Sequence, residues 1–497
     1  MPNVTFLYGF NKADGTSQIL AGWAGNIHRF NSSTSLWIGL SQITSVTAVA
    51  RMRTFLNSGF WVNGTNNNKR WDGTVWTDEI ARKKAPLSKY IHIDPSGSQL
   101  FLANLSYQGQ TFESRVWKSD LPKNNDITYG LEYGANLSQT ASSPTVTSST
   151  AFFRLRNIKV GDPFIILSGS NAGEYKVSTI DSETQITLTQ NLNVTATGST
   201  FWVGGNWFDV VTNNNDVVTG LGDNSSQVLI FKNESLHTYN GNSSRRIKGV
   251  PGTHSQESVV NIKEYTYYFH RTGIWRTNGV TAELISRPIQ DYIDGIASSY
   301  FASTVAEKVG EIYRIFVGNV TNSSENIDLD NVILDFDTIT ETWSPGMLPV
   351  KVTATTSFLD ANTETNYVGT DANTVYQDNI GTSDAGTAIP WMMDTGWHFP
   401  GGGEIETEIT RIQIHNKAGR GIPVQYKLYG TPFDIDKQWK GLDDLSDEIT
   451  EIDLRNRRDK DNIARGVALL LQDSSTISTP MIERIDIFWK PITARSI

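Results

Sequence analysis

Ile262-Lys-Glu-Tyr-Thr-Tyr-Tyr-Phe269 runs into a short turn and returns as Gly273-Ile-Trp-Arg-Thr-Asn-Gly279. Alternating β-branched and aromatic residues, closed by an Asn-Gly pair that tolerates positive φ, predict a strand, a tight turn and a second strand. Looser copies of this unit recur along the chain. Gly25-Asn-Ile-His-Arg-Phe-Asn31, Asn68-Lys-Arg-Trp-Asp-Gly73, Ser235-Leu-His-Thr-Tyr-Asn-Gly241 and Asn373-Thr-Val-Tyr-Gln-Asp378 each end a strand in an aromatic before Asn or Asp. Where nothing intervenes, adjacent copies lie roughly 35–45 residues apart, the length of one four-stranded propeller blade. Phe101-Leu-Ala-Asn-Leu105 and Val228-Leu-Ile-Phe231 read as further strands. A helical period is scarce. The best is Ser286 to Ile296, where Ser286 stands as a cap, Pro288 sits in the first turn, and Ile289, Tyr292, Ile293 and Ile296 share a face.

Two segments break the rhythm. Residues 137–204 open on a Ser/Thr-rich run and continue as Val160-Gly-Asp-Pro-Phe-Ile-Ile-Leu167, Gly173-Glu-Tyr-Lys-Val177, Thr184-Gln-Ile-Thr-Leu188 and Phe201-Trp-Val203. They predict a small β-barrel inserted in a loop. After Thr382-Ser-Asp-Ala-Gly386 come longer alternating strands, among them Thr407 to Ile414, Pro423 to Tyr429, Val467 to Leu471 and Ile482 to Trp489, the pattern of a β-sandwich. The expectation is an all-β chain: a degenerate β-propeller in two parts (1–136 and 205–386), the inserted barrel (137–204) and a C-terminal β-sandwich (387–497).

Composition narrows the chemistry. The 497 residues carry 42 Lys+Arg against 52 Asp+Glu, a formal charge of −10, with no cysteine and 14 Trp, 17 Tyr and 21 Phe. Disulfides, thiol nucleophiles and Cys-ligated metals are excluded. The acidic balance argues against tight, indiscriminate DNA binding. The start shows no basic region leading into a long apolar core, and no apolar run nears the ~18 residues of a membrane helix, so neither a secretory signal nor a membrane span is expected.

Catalytic constellations are missing. His28, His92, His237, His254, His270, His398 and His415 make no His-x-x-x-His or His-Glu-x-x-His motif, so no metal site is expected. There is no Gly-x-Ser-x-Gly elbow and no phosphate loop; Gly401-Gly-Gly403 reads as a hairpin tip. Asp328-Leu-Asp330, Asp335-Phe-Asp337, Asp434-Ile-Asp436 and Asp459-Lys-Asp461 place carboxylates two apart, on the solvated face of a strand. No enzyme activity, catalytic residue, cofactor or small-molecule substrate is expected. Basic residues cluster at Arg82-Lys-Lys84, at Arg245, Arg246 and Lys248, and from Arg455 to Lys460. The Arg245, Arg246 and Lys248 turn is the candidate for facing DNA.

One ordered series is more specific. Ser114-Arg-Val-Trp-Lys-Ser-Asp-Leu-Pro122 is followed by Asn206-Trp-Phe-Asp-Val210, Asn215-Asp-Val-Val-Thr-Gly-Leu221 and Val228-Leu-Ile-Phe-Lys-Asn-Glu-Ser-Leu236. Next come Pro251-Gly-Thr-His-Ser-Gln-Glu-Ser-Val259, Tyr268-Phe-His-Arg-Thr-Gly-Ile274 and Leu284-Ile-Ser-Arg-Pro-Ile289. Over roughly residues 15–300 this order resembles the tail nozzle and packaged-DNA stabilisation proteins of tailed bacteriophages. The resemblance implies a virion tail location and a propeller subunit of a homo-oligomeric ring, with a hexamer favoured. Such a ring guides and retains genomic DNA in its lumen before ejection, and it contacts other tail proteins such as an adaptor, fibre or spike. The alternative is a carbohydrate- or receptor-binding tail protein, with Trp61, Trp71, Trp76 and Trp117 as stacking surfaces or, on their strand alternation, as blade core.

Overall fold

Val228, Leu229, Ile230 and Phe231 are all buried although they are consecutive, which a strand covered on one face only could not achieve. Val228 and Ile230 pack with Phe101 and Val116 on one side, while Leu229 and Phe231 pack with Tyr268 on the other. The strand therefore lies between two neighbouring sheets, as a propeller blade does. The computed structural model describes residues 3–378 apart from 44, 46, 79–84, 108–109, 122–126, 128, 211–215, 225, 324–326 and 361–362, and beyond them the strands and short joins between 383 and 491. It divides into two units, Met1–Asn379 and Ile380–Ile497.

Among the described residues, the first unit holds seven antiparallel meander sheets, six of four strands and a last of three. Blades 1 and 2 cover 6–43 and 51–78, and blade 3 takes Leu87–Ile93, Leu100–Tyr107, Gln110–Lys118 and Trp207–Asp209. Blades 4 to 7 cover 218–246, 260–284, 305–347 and 352–377. An apolar cluster fills each junction between successive blades, and the cycle closes. Val4, Leu7, Ile19 and Ala21 of the N-terminal segment pack on Ala354 and Phe358 of blade 7. At this seam the Val4 N–H donates to the Thr370 carbonyl at 3.0 Å and the Gly9 N–H to Thr356 Oγ1 at 2.9 Å. Trp61, Trp71, Trp76 and Trp117 are all buried at blade junctions, so they serve as core.

The closed six-stranded barrel runs from Glu132 to Val203, inserted between the third and fourth strands of blade 3, as the sequence pattern predicts. Phe153, Phe164 and Phe201 fill its interior. Trp202 points the other way and meets Trp117 of blade 3 edge-on at 6.3 Å, fixing barrel to blade. The helical segment forms, but differently. Arg287–Ile289 is a 3-10 turn leading into the short helix Gln290–Asp294, and Ser286 makes no side-chain cap. Its Oγ accepts from the Ile274 N–H at 3.0 Å instead, finishing the edge of blade 5.

Among its described residues the second unit contains two larger antiparallel sheets and a two-stranded ladder of Ser383–Asp384 with Thr387–Ala388. Gly466–Asp473 lies between Trp391–Asp394 and Val424–Tyr429, and Thr407–Asn416 pairs with Ile449–Asp453, Ile463–Ala464 and Ile482–Pro491. Ile409, Ile412 and Ile414 are buried in one sheet and Val467 to Leu471 in the other. Gly401 to Gly403, Arg82 to Lys84, Arg455 to Lys460 and the pairs Asp434/Asp436 and Asp459/Asp461 lie outside the described residues.

The seam is closely packed at Gly9. A Cβ on Gly9 would stand 2.6 Å from the Ser357 carbonyl oxygen, a backbone atom that cannot swing aside. Gly9→Ala is expected to destabilise the first unit by about 1–3 kcal/mol, the usual cost of overpacking. Denaturant unfolding checks this, and an unchanged midpoint would show that the seam does not hold the ring.

Candidate functional site

The innermost strand of each blade lies along the propeller axis, so a side chain from each can reach a common space although the residues are far apart in sequence. That space is a cavity of about 310 Å³. Arg53 comes from blade 2, His92 from blade 3, Asp223 from blade 4, Asn261 from blade 5, Lys308 from blade 6 and Ser357 from blade 7. Its wall is completed by Gln256, in the 3-10 turn joining blades 4 and 5. The Gln256 amide donates to the Leu221 carbonyl at 2.6 Å and accepts from the Leu221 N–H, taking the place of a neighbouring strand.

Asp223 is the organising charge. Asn261 Nδ2 donates to its Oδ1 at 2.6 Å, and His92 Nε2 stands 3.2 Å from the same oxygen without aligning as a hydrogen bond. Burial alone would raise this carboxyl. The His92 ring, Asn261 and the Arg53 charge outweigh burial and hold it below the ordinary value. Burial lowers His92, with the Arg53 charge adding to the effect against Asp223, so at neutral pH the ring is neutral beside a carboxylate. The site can thus present two cations, Arg53 and Lys308, one fixed carboxylate, and the amides and hydroxyls of Asn261, Thr355, Thr356 and Ser357. That set suits a polar ligand carrying hydroxyl groups and negative charge.

Glu307 also lines the cavity, and its side chain is buried. Near it, Arg314 is held by Asp335 through two bonds of 2.9 and 2.8 Å and by Asp378 at 2.5 Å. Burial, followed by the charge and hydrogen bond of Asp378, pushes the Glu307 carboxyl well above the usual range. Asp335 is therefore no solvated surface acid, contrary to expectation. Asp337 accepts the Ile339 and Thr340 N–H groups and Asp328 accepts the Thr321 hydroxyl.

Arg245 and Arg246 lie exposed on Ser244–Arg246, the outermost strand of blade 4, with Lys248 exposed just beyond it. None of the three is among the residues that line the axis. The structure also brings together three groups that sequence spacing keeps apart, Glu234, His254 and His270, between blades 4 and 5.

No protein-family model and no curated protein matches the chain. Many solved structures are similar to it, two of which serve as examples. One is a phage phi92 endosialidase, 13% identical, covering 74% of this chain and 50% of its own, with a TM-score of 0.22. The other is a puromycin hydrolase, 7% identical, covering 72% and 49%, with a TM-score of 0.33. The chain spans about half the length of each. Both are enzymes by name, and the reading of this chain as a non-enzyme is overturned accordingly. That reading rested on missing local motifs, and a site assembled from six blades has none to show. At these TM-scores neither activity carries over.

Glu307 gives the cluster a pH signature. Its folded-state value lies above its unfolded one, so its contribution is complete below about pH 4.5 and is lost as the pH rises, because the unfolded chain releases a proton the native state keeps. Glu307→Gln has no proton to release. It is expected to leave stability near pH 4 nearly unchanged and to raise it by about 1–3 kcal/mol at pH 8. Denaturant titrations at the two pH values test this; an equal effect at both would refute it.

Proposed function

We propose that this chain is a tail protein of a tailed bacteriophage whose propeller axis binds a receptor carbohydrate bearing acidic groups. The observation that carries the reading is the axial cavity, whose lining combines Arg53 and Lys308 with hydroxyl and amide groups and the fixed Asp223 carboxylate. Its volume, about 310 Å³, matches one or two sugar units. Two cations on separate strands recognise anionic substituents, while the Thr355–Ser357 run and Asn261 supply hydroxyl and amide partners for sugar hydroxyls. The ordered motifs from Ser114 to Ile289 support the tail assignment.

A glycan array comparing acidic with neutral oligosaccharides tests this reading, with release of reducing ends measured on every binder. Binding restricted to acidic glycans is expected, weakened at least tenfold by Arg53→Ala or Lys308→Ala. Absence of any glycan bound above background would sink it.

A ring-forming nozzle is the second reading, and one observation favours it. The barrel carries Tyr133, Phe152, Leu155 and Val160 exposed, with Leu155 76% and Val160 67% accessible. Exposed apolar side chains gathered on one inserted domain suit an assembly surface. In that reading DNA passes between copies, since the axial cavity is of small-ligand size. Negative-stain images of the purified chain are expected to show discrete rings that Phe152→Asp with Leu155→Asp disperses without unfolding the protein. A monomer at every concentration would exclude this reading.

A further inference from the structure

We propose that Glu234, His254 and His270 form a divalent metal site of the zinc class that ties blade 4 to blade 5. Glu234 sits in the turn between Val228–Lys232 and Leu236–Tyr239 of blade 4. His270 ends the strand Tyr265–His270 of blade 5, and His254 lies in the segment connecting the two blades. The topology places all three at one rim, because the hairpin turn between a blade's second and third strands and the crossover to the next blade share a side of the ring.

One ligand atom from each residue lies within 4.8 Å of the others, with His270 Nε2 3.7 Å from Glu234 Oε2. Nε2 of His254 and Nε2 of His270 are both buried without a hydrogen-bond partner, and His270 is only 1% exposed. Buried imidazole nitrogens are seldom left unsatisfied, and two side by side facing a carboxylate call for a shared partner. Two imidazoles and one carboxylate form the donor set of zinc-class ions, with a fourth position left for water.

The surroundings fit. His270 Nδ1 lies 3.2 Å from the Thr272 N–H, which donates to it, and 2.8 Å from Thr272 Oγ1; giving Nε2 to a metal moves the ring proton to Nδ1, where the Thr272 hydroxyl accepts the hydrogen bond in place of the N–H contact. Phe301 covers His254 at 5.5 Å between ring centres. Arg271 contacts Glu234 at 3.2 Å from the exposed side; a carboxylate has lone pairs enough for both a guanidinium and an ion.

Ligands around a tetrahedral zinc stand roughly 3.3 Å apart, given bonds of about 2.0–2.1 Å. The group must close by about an ångström or a little more. The imidazole rings lie within 12° of parallel, so His254 turns about its side-chain bonds to face the ion, and no hydrogen bond to its Nε2 opposes that turn.

The test uses the untagged full chain, stripped with a chelator, and titrated calorimetrically with ZnCl₂ and, separately, with MgCl₂. One Zn²⁺ per chain is expected at this site, with a rise in melting temperature and no response to Mg²⁺. Glu234→Gln and His254→Gln are each expected to weaken that binding at least tenfold and to abolish the thermal shift. Glu234 is exposed, so its variant keeps the fold. No Zn²⁺ uptake by the folded chain, or uptake unchanged in both variants, would overturn the proposal.

Discussion

A four-stranded sheet apolar on both faces cannot stand alone in water, and every blade here has that character. Leu100, Leu102 and Leu105 pack toward blade 2 while Phe101 and Ala103 of the same strand pack toward blade 4. Each blade must be covered by a neighbour on either side, and a row of such blades is satisfied only when the last covers the first. Ring closure follows from this demand, and the contacts of Val4 and Leu7 with Phe358 are where it is met. The last blade has three described strands and still closes, because the seam runs along inner strands. The lack of a second blade at either end, rather than any single hydrogen bond, would make an open form unstable.

Closure also creates the axial site. Six inner strands converge on one small volume, so residues as distant as Arg53 and Ser357 become neighbours. The polar groups there are constrained by burial more than by pairing. Asp223 is held below the ordinary carboxylate value because His92, Asn261 and Arg53 outweigh the burial that would raise it, and Glu307 is raised because Asp378 and Asp335 add to burial and the Arg314 charge does not offset them. Two carboxyl groups of one cavity are thereby driven in opposite directions. Such divergence is how a protein prepares distinct roles for like groups.

How much of this is readable from sequence depends on the span of the interaction. Val228 to Phe231 announces a strand buried on both faces, and Gly273 to Gly279 announces a hairpin arm, since those signals are local. The barrel shows itself through Phe164, Val177, Ile186 and Phe201, apolar positions at period two within a polar insertion. Ser286 misleads for a physical reason: a hydroxyl next to Arg287-Pro288 fits a helix cap, yet the Ile274 N–H at the blade edge competes for it and wins. Asp335 misleads likewise, because its partner Arg314 sits on the adjacent strand and Asp378 beyond the following blade. Neither the axial residues nor the trio Glu234, His254 and His270 leaves a spacing signature, since each comes from a different turn or blade. The one usable hint is that His254 and His270 fall in adjacent ordered motifs, which spacing alone does not link.

The net charge of −10 takes on a different meaning once the axis is known. Read as a bulk property, it suggests a surface that repels polyanions, DNA and acidic glycans alike. At physiological ionic strength the Debye length is about 8 Å, so that repulsion fades within a few ångströms of the surface, and what a ligand meets is the local set. On the axis the local set is Arg53 and Lys308 against Asp223, with His92 neutral and Glu307 pushed by burial and Asp378 toward its protonated form. Two cations on the lining make the cavity less acidic than the chain as a whole. Which charges stand on the inner strands, rather than their sum over the chain, therefore sets the field inside the cavity.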